Sequence, residues 1–584
     1  METTQPISKL IRRLWYHLDR RRRLHFWLLL VLMILSSFAE VLSIGAVLPF
    51  LAALSEPNRI FKHPTAQPFI EILGLNSAEQ ILLPLTIVFC LAAFMAGTMR
   101  ISLLWVSIRV SFAAGSDLSN KAYHRTLYQP YEIHISRNSS EMINGIWLKI
   151  SEVIFFILTP VLTLISASVM VTAIVMALLA IIPGIALATF GGFGLIYVFI
   201  LKVTRNRLKI ESQCIAREST NVIKALQEGL CGIRDVLIDG SQESFCNSYR
   251  NINHLLRRAQ GNNLLISQSP RYGMEVLGMI LIATIAYMLS RQPGGISGVI
   301  PVLAALALGL QRLLPALQQA YGSWSTIQGA QSSLQDTLGL LDQPLPDYVK
   351  KSPGTPLPFQ KQISLKQISF QYKPESPWVL KNFDLTIPKG SRVGFIGSTG
   401  CGKSTLLDII MGLLQPTHGT IEIDSQPITT INQNAWQAHI AHVPQTVYLT
   451  DNSIEENIAF GVPKDQIDAG RVRQAAQQAQ IADIIESWPC KYQTFVGERG
   501  VQLSGGQLQR IGIARALYKQ ADVLIFDEAT SALDTETEQD VMNAIESLSG
   551  DYTILIIAHR LNTLKNCTDI VKLGPGSNLN DASA

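Results

Sequence analysis

The nonapeptide Gly397-Ser398-Thr399-Gly400-Cys401-Gly402-Lys403-Ser404-Thr405 follows the apolar run 393–396 and precedes the apolar run 406–411. That order reads as strand, glycine loop and helix. The glycines let the backbone turn its N–H groups inward around a polyphosphate. Lys403 reaches the β- and γ-phosphates, and the Ser404 hydroxyl holds Mg²⁺. A chance match inside a loop is the competing explanation, and the strand-to-helix context argues against it. Downstream, Val523-Leu-Ile-Phe-Asp527-Glu528 reads as a buried strand ending in two carboxylates. Asp527 is placed to help hold Mg²⁺ and Glu528 to polarise an attacking water. A buried acidic pair with no such task would be costly.

Between these two motifs lies Leu503-Ser504-Gly505-Gly506-Gln507, opening an apolar-periodic helix over 508–518. Serine and glycine N–H groups at a helix start form an anion site. Alone the pentapeptide is a weak signal; between phosphate loop and carboxylate strand it is the most discriminating one in the chain. Here the sequence resembles the ATP-binding cassette (ABC) transporters, in particular exporters with six spans fused to one cassette. The resemblance implies that Tyr372, in 368–372, stacks on adenine. It also implies that Gln445, in 442–445, contacts Mg²⁺ and the attacking water and senses the membrane domain. Asp534, in 531–534, matches the D-loop, and His559, in 557–560, matches the switch histidine near the γ-phosphate. Gly497-Glu-Arg-Gly500 matches the exporter loop that touches the coupling helices. In this family the signature of one subunit closes over the ATP held by another, so one cassette with six spans implies a homodimer. A pairing with a paralogue is the alternative. The chain ends about twenty-five residues after His559, without the helix that usually closes these cassettes.

The elements that must position these residues fall into two classes. Charged residues make up 16% and hydrophobic residues 48% of the 584, and the apolar runs are concentrated before about residue 340. That balance reads as a membrane domain followed by a nucleotide-binding one. The net charge of +4 argues no nucleic-acid partner. The seven cysteines show no Cys-x-x-Cys pair, so neither zinc nor a disulfide framework is indicated. Arg12, Arg13 and Arg20 to Arg23 precede the first apolar run, 26–54, and put the N-terminus in the cytoplasm. The second run, 81–99, has nineteen uncharged residues, and helix continues from it into a polar region. The uncharged stretch 153–201 is long enough for two spans, divided near Pro183-Gly184. Segment 202–260, with ten Lys/Arg against six Asp/Glu, reads as cytoplasmic; 274–290 and 294–324 complete six spans. An even count returns the chain to the cytoplasm, where ATP is. Segment 55–80 falls outside, as an interfacial helix or a plain loop.

The expected organisation is a cytoplasmic elbow at 1–25, an all-α six-helix transmembrane domain at 26–340, a Pro-rich linker at 341–360 and an α/β cassette at 361–584. Segments 269–272 and 311–315, with the insert between the first two spans, resemble bacterial flippases of lipid-linked oligosaccharides and polysaccharide exporters. Peptide, drug and lipid A exporters share the cassette. Arginine at mid-bilayer costs about 2.5–3.5 kcal/mol, so Arg100, Arg271 and Arg312 are expected to face a watery cavity, where their donor forks suit a pyrophosphate. The partners that follow are membrane lipid and a lipid-linked glycan. Of the rival classes, an ATPase acting on ribosomes or DNA conflicts with six spans. An ATP-gated channel or sensor conflicts with the intact Glu528, His559 and signature.

Overall fold

The computed structural model describes the chain apart from residues 1–4, 56, 58–60, 62–66, 76, 138–141, 182, 291–294, 347–348, 350–356, 498–499, 502, 529–537, 540–551, 559–563, 565–566 and 575–584. It divides into two compact units, residues 1–129 with 137–344 and residues 345–584 with 130–136.

The first unit is all helix. After α1 (Ile7–His17) come α2 (Arg20–Ser55), α3 (Gln67–Leu73) and α4 (Leu82–Leu127). The short α5 (Tyr131–Ser136) belongs to the second unit. Next are α6 (144–181), α7 (Pro183–Cys231), α8 (Ile233–Ile238), α9 (Gln242–Ser290), α10 (Gly295–Gly329) and α11 (Gln331–Leu341). Six of these, α2, α4, α6, α7, α9 and α10, are long, and they follow the order of the apolar runs. By length and composition, Arg20–Val47, Leu82–Leu127 and Asn144–Ala177 are able to cross a membrane. At 1.5 Å per residue, α4, α7 and α9 run to about 70 Å, more than twice a hydrocarbon core, so they project well beyond it. The charged segment 202–260 is that projection, with α8 as the turn between α7 and α9. Segment 55–80, open on sequence alone, carries α3, whose Ile70 is buried with Ala53 and Ile81.

Helical spacing explains the packing. Leu10, Leu14 and Leu18 form one stripe, Leu334, Leu338 and Leu341 another, and both bury against Leu118 of α4 and Val153 of α6. The outer face of α4 instead exposes Leu91, Phe94, Ile101 and Leu104, as a lipid-facing surface requires. Helix α6 is π-helical at Asn144–Lys149 and Ile154–Leu158. There the backbone of Gly145 approaches Leu340 so closely that a Cβ would lie 2.7 Å from its Cδ1.

The second unit is α/β. Strands β1 (Gln362–Phe370), β2 (Leu380–Pro388), β4 (His418–Ile423) and β5 (Gln426–Pro427) form an antiparallel sheet ordered β2-β1-β4-β5. Strands β3 (Arg392–Gly397), β6 (Ile440–Val443), β7 (Val523–Asp527), β8 (Thr553–Ile557) and β9 (Asp569–Leu573) form a parallel sheet ordered β6-β7-β8-β3-β9. Every residue of β8 is buried, the near-continuous apolar pattern of a strand covered on both faces. Helix α12 (Lys403–Ile410) follows β3 and packs with Phe395, Leu406 and Trp436 into one core. A second core gathers Ile511 and Ile513 of α13 (Gly505–Lys519) with Ile454, Ala476 and Ile485.

Candidate functional site

A parallel sheet collects the C-terminal ends of its strands at one edge. Ile557 of β8 pairs with Phe395 of β3 on one side and Asp527 of β7 on the other. The loop after β3 and the carboxylates after β7 are thereby brought to the same edge. In that loop Gly400 and Gly402 hold φ of +83° and +96°, a conformation open to glycine at little cost. A Cβ on Gly397 would lie 2.4 Å from Leu573 O and 2.6 Å from Cys401 Sγ, so that position admits no side chain. Cys401 itself is buried, filling the loop. The ammonium of Lys403 donates to the carbonyls of Gly397 (2.7 Å) and Ser398 (3.0 Å), which folds the lysine over its own loop. The next helical residue, Ser404, hydrogen-bonds Asp527.

The acid pair is electrostatically loaded. Burial, then the charge of Glu528, push the Asp527 carboxyl above its ordinary value, against the opposing pull of Ser404 and Lys403. Asp408 on α12 is pushed up to about 6 by burial and by Asp527. The Asp527 carboxyl beside the Ser404 hydroxyl offers oxygen donors to a divalent cation, and Lys403 with the loop N–H groups suits a polyphosphate, so these residues fit Mg²⁺ with a polyphosphate. Glu528 sits at φ +50°, costly for a residue with a side chain. Three elements hold it there. Its amide donates to Ile557 O (3.1 Å), its carbonyl accepts from Gln509 Nε2 (3.4 Å), and its Oε2 accepts from Gln445 Nε2 (2.7 Å). Gln509 escaped the sequence reading, although a polar residue on the buried face of α13, 2% exposed, is a recognisable signal.

Ser504 caps α13 in a reciprocal box. Its hydroxyl accepts from Gln507 N (3.3 Å), and Gln507 Oε1 accepts from Ser504 N (2.9 Å). The N–H groups of Gly505 and Gly506, in the first turn, have no intrahelical acceptor by position. Tyr372 donates to or accepts from Thr405 Oγ1 at 3.0 Å, with Phe370 edge-on at 5.0 Å and half its own surface exposed. Asp534 and His559 lie outside the described residues, as do Glu498 and Arg499 of the loop ahead of the signature.

The three arginines do not share one place. Arg271 lines a cavity between α7, α9 and α10 and is paired with Glu275 at 3.0 Å. Arg312 lies 2.7 Å from Oε1 of Glu40, which is 4% exposed on α2. Arg100 is exposed on α4 beside Ile101 and Leu104. A cation in apolar surroundings is most cheaply compensated by a nearby carboxylate, and two of the three have found one.

Two family descriptions match, ABC transporter over residues 380–531 and ABC transporter transmembrane region over residues 26–292. The chain belongs to the ABC transporters. It is therefore a multi-pass membrane protein of exporter type, with a cassette that binds and hydrolyses ATP to drive transport. Among relatives, the transporter is 28% identical to an ATP-dependent lipid A-core flippase of Cupriavidus pinatubonensis, over 78% of this chain and 77% of that one. It is 31% identical to one of Alkalilimnicola ehrlichii, over 66% and 65%. The mouse ATP-binding cassette sub-family B member 5 is 40% identical over 41% of the transporter and 19% of that protein. A solved bacterial Atm1-family ABC exporter with ATP bound shares the fold, with a TM-score of 0.77 at 24% identity, over 95% of this chain and 94% of that one.

Proposed function

We propose that the transporter is a flippase that moves an amphiphile with a saccharide head, a lipid-linked oligosaccharide or related glycolipid, across a bacterial inner membrane as a homodimer. The cassette then faces the cytoplasm. The observation that carries the saccharide is the cavity lined by Arg271, whose wall includes the amides of Gln268, Gln311, Gln318 and Gln319. Moving lipid A is the second reading, favoured by the names of the flippase relatives.

In this reading Lys403 and the N–H groups of 397–405 hold the phosphates, and Tyr372 stacks on the adenine. Ser404, Gln445 and Asp527 would hold Mg²⁺, which supplies charge neutralisation at the phosphate oxygens. Glu528 orients and deprotonates the attacking water, and its bond to Gln445 aims the carboxylate. Ser504 to Gln507 meet the nucleotide of the partner subunit, with Asp534 and His559 completing the closed site.

Native mass spectrometry of lipid co-purifying with the wild type tests the substrate class. The expected adduct is a glycosylated isoprenoid diphosphate. A preparation carrying lipid A would support the second reading, and one carrying only bulk phospholipid would count against both.

A further inference from the structure

We infer that the cavity between α7, α9 and α10 is a binding site for an uncharged, hydroxyl-rich saccharide portion of the cargo, separate from any contact with its phosphates. This rests on the reading that the transported lipid carries a saccharide. The cavity encloses about 540 Å³, within the range of small-molecule sites and with room for more than one sugar ring.

Its chemistry selects against the other parts of such a lipid. The cationic Arg271 is already matched by Glu275 at 3.0 Å, so the charged lining is neutral and a diphosphate gains no net attraction there. Gln268, Gln311, Gln318 and Gln319 each present an acceptor and two donors, the complement of adjacent hydroxyls. Tyr197 and Tyr321, with ring centroids 5.8 Å apart, supply flat apolar faces for the C–H side of a pyranose.

Two polar atoms decide between saccharide and acyl chain. The hydroxyl of Tyr197, 7% exposed, and Nε2 of Gln318 are both buried and have no hydrogen-bond partner among the described residues. The hydroxyl of Tyr321, which also lines the cavity, is already satisfied by the carbonyl of Ile266 at 3.1 Å, so the unpaired groups there are those of Tyr197 and Gln318. An acyl chain would leave both atoms buried and unpaired, whereas hydroxyls would satisfy them.

The test measures binding of two neutral trisaccharides, chitotriose and maltotriose, to the full-length transporter in nanodiscs by saturation-transfer NMR. At least one is expected to bind. Gln318→Leu and Tyr197→Phe are each expected to weaken it by about tenfold, the worth of one hydrogen bond. Basal ATPase activity and melting temperature, measured on the same samples, establish that the variants are folded. Lys464→Ala, on the exposed surface of the cassette, should bind the sugar as the wild type does. Binding of neither sugar, or equal binding by wild type and both folded cavity variants, would overturn the site. Sugar binding without movement of lipid-linked oligosaccharide would instead sink the flippase reading and leave the cavity assignment standing.

Discussion

Replacing Glu528 by glutamine isolates the chemical step. The two side chains have the same length and tolerate the φ of +50° equally, and either accepts from Gln445 at the 2.7 Å contact. What is lost is the ability to take a proton, and general base catalysis supplies about 10²–10⁴ in rate. At 1.36 kcal/mol per decade this raises the barrier by about 2.7–5.4 kcal/mol. Nucleotide affinity should hold, because Lys403 and the glycine loop are untouched. The Asp527 carboxyl should even ionise more readily once the neighbouring charge of Glu528 is removed. Steady-state phosphate release from purified Glu528→Gln should therefore fall at least ~100-fold, with nucleotide affinity within a few-fold of wild type. Hydrolysis within tenfold of wild type would refute the assignment of Glu528 as the base.

Gln509→Leu removes one of the three contacts that hold Glu528 in its strained conformation, and should lower hydrolysis by about tenfold with no change in ATP affinity. Ser504→Ala opens the capping box of α13 and should cost about 1 kcal/mol of cassette stability in denaturant titration. Asp408, raised to about 6, binds a proton in the folded state that the unfolded chain releases nearer its ordinary 3.8. Stability is therefore lost as pH rises between those values, and Asp408→Asn should raise the melting temperature at pH 7.5 but not at pH 3.5. Arg312→Ala strands the buried Glu40 and should destabilise the protein toward the low end of about 3–5 kcal/mol, since Arg312 keeps 45% exposure. Adding Glu40→Gln should recover most of that loss in a thermal-shift assay, while Arg100→Ala should cost little.

The nucleotide site was legible because its motifs are local. The residues from Gly397 to Thr405 and from Val523 to Glu528 each specify a loop or strand end by their own spacing, and the parallel sheet then joins the two sets at one edge. The six long helices were legible for a similar reason, since an uncharged run of sufficient length admits few other structures in a bilayer. What depends on packing was hidden. The pairing of Arg312 with Glu40 joins α10 to α2 across 272 residues, and no periodicity announces it. Arg271 and Glu275, one helical turn apart, were within reach of the i, i+4 rule but were read only for the arginine. The positive φ of Glu528, its support by Gln509 and the grouping of α5 with the cassette all arise from contacts between distant segments.

Movement of a fluorescent polyprenyl-pyrophosphate oligosaccharide in proteoliposomes, read by accessibility of the sugar to an added glycan-modifying enzyme, tests the central claim most directly. Cassette-out wild-type transporter supplied with external ATP and Mg²⁺ should move the lipid from the outer to the inner leaflet, and the Glu528→Gln variant should not. Equal movement by the two proteins, or movement of labelled lipid A but not of the oligosaccharide lipid, would contradict the account.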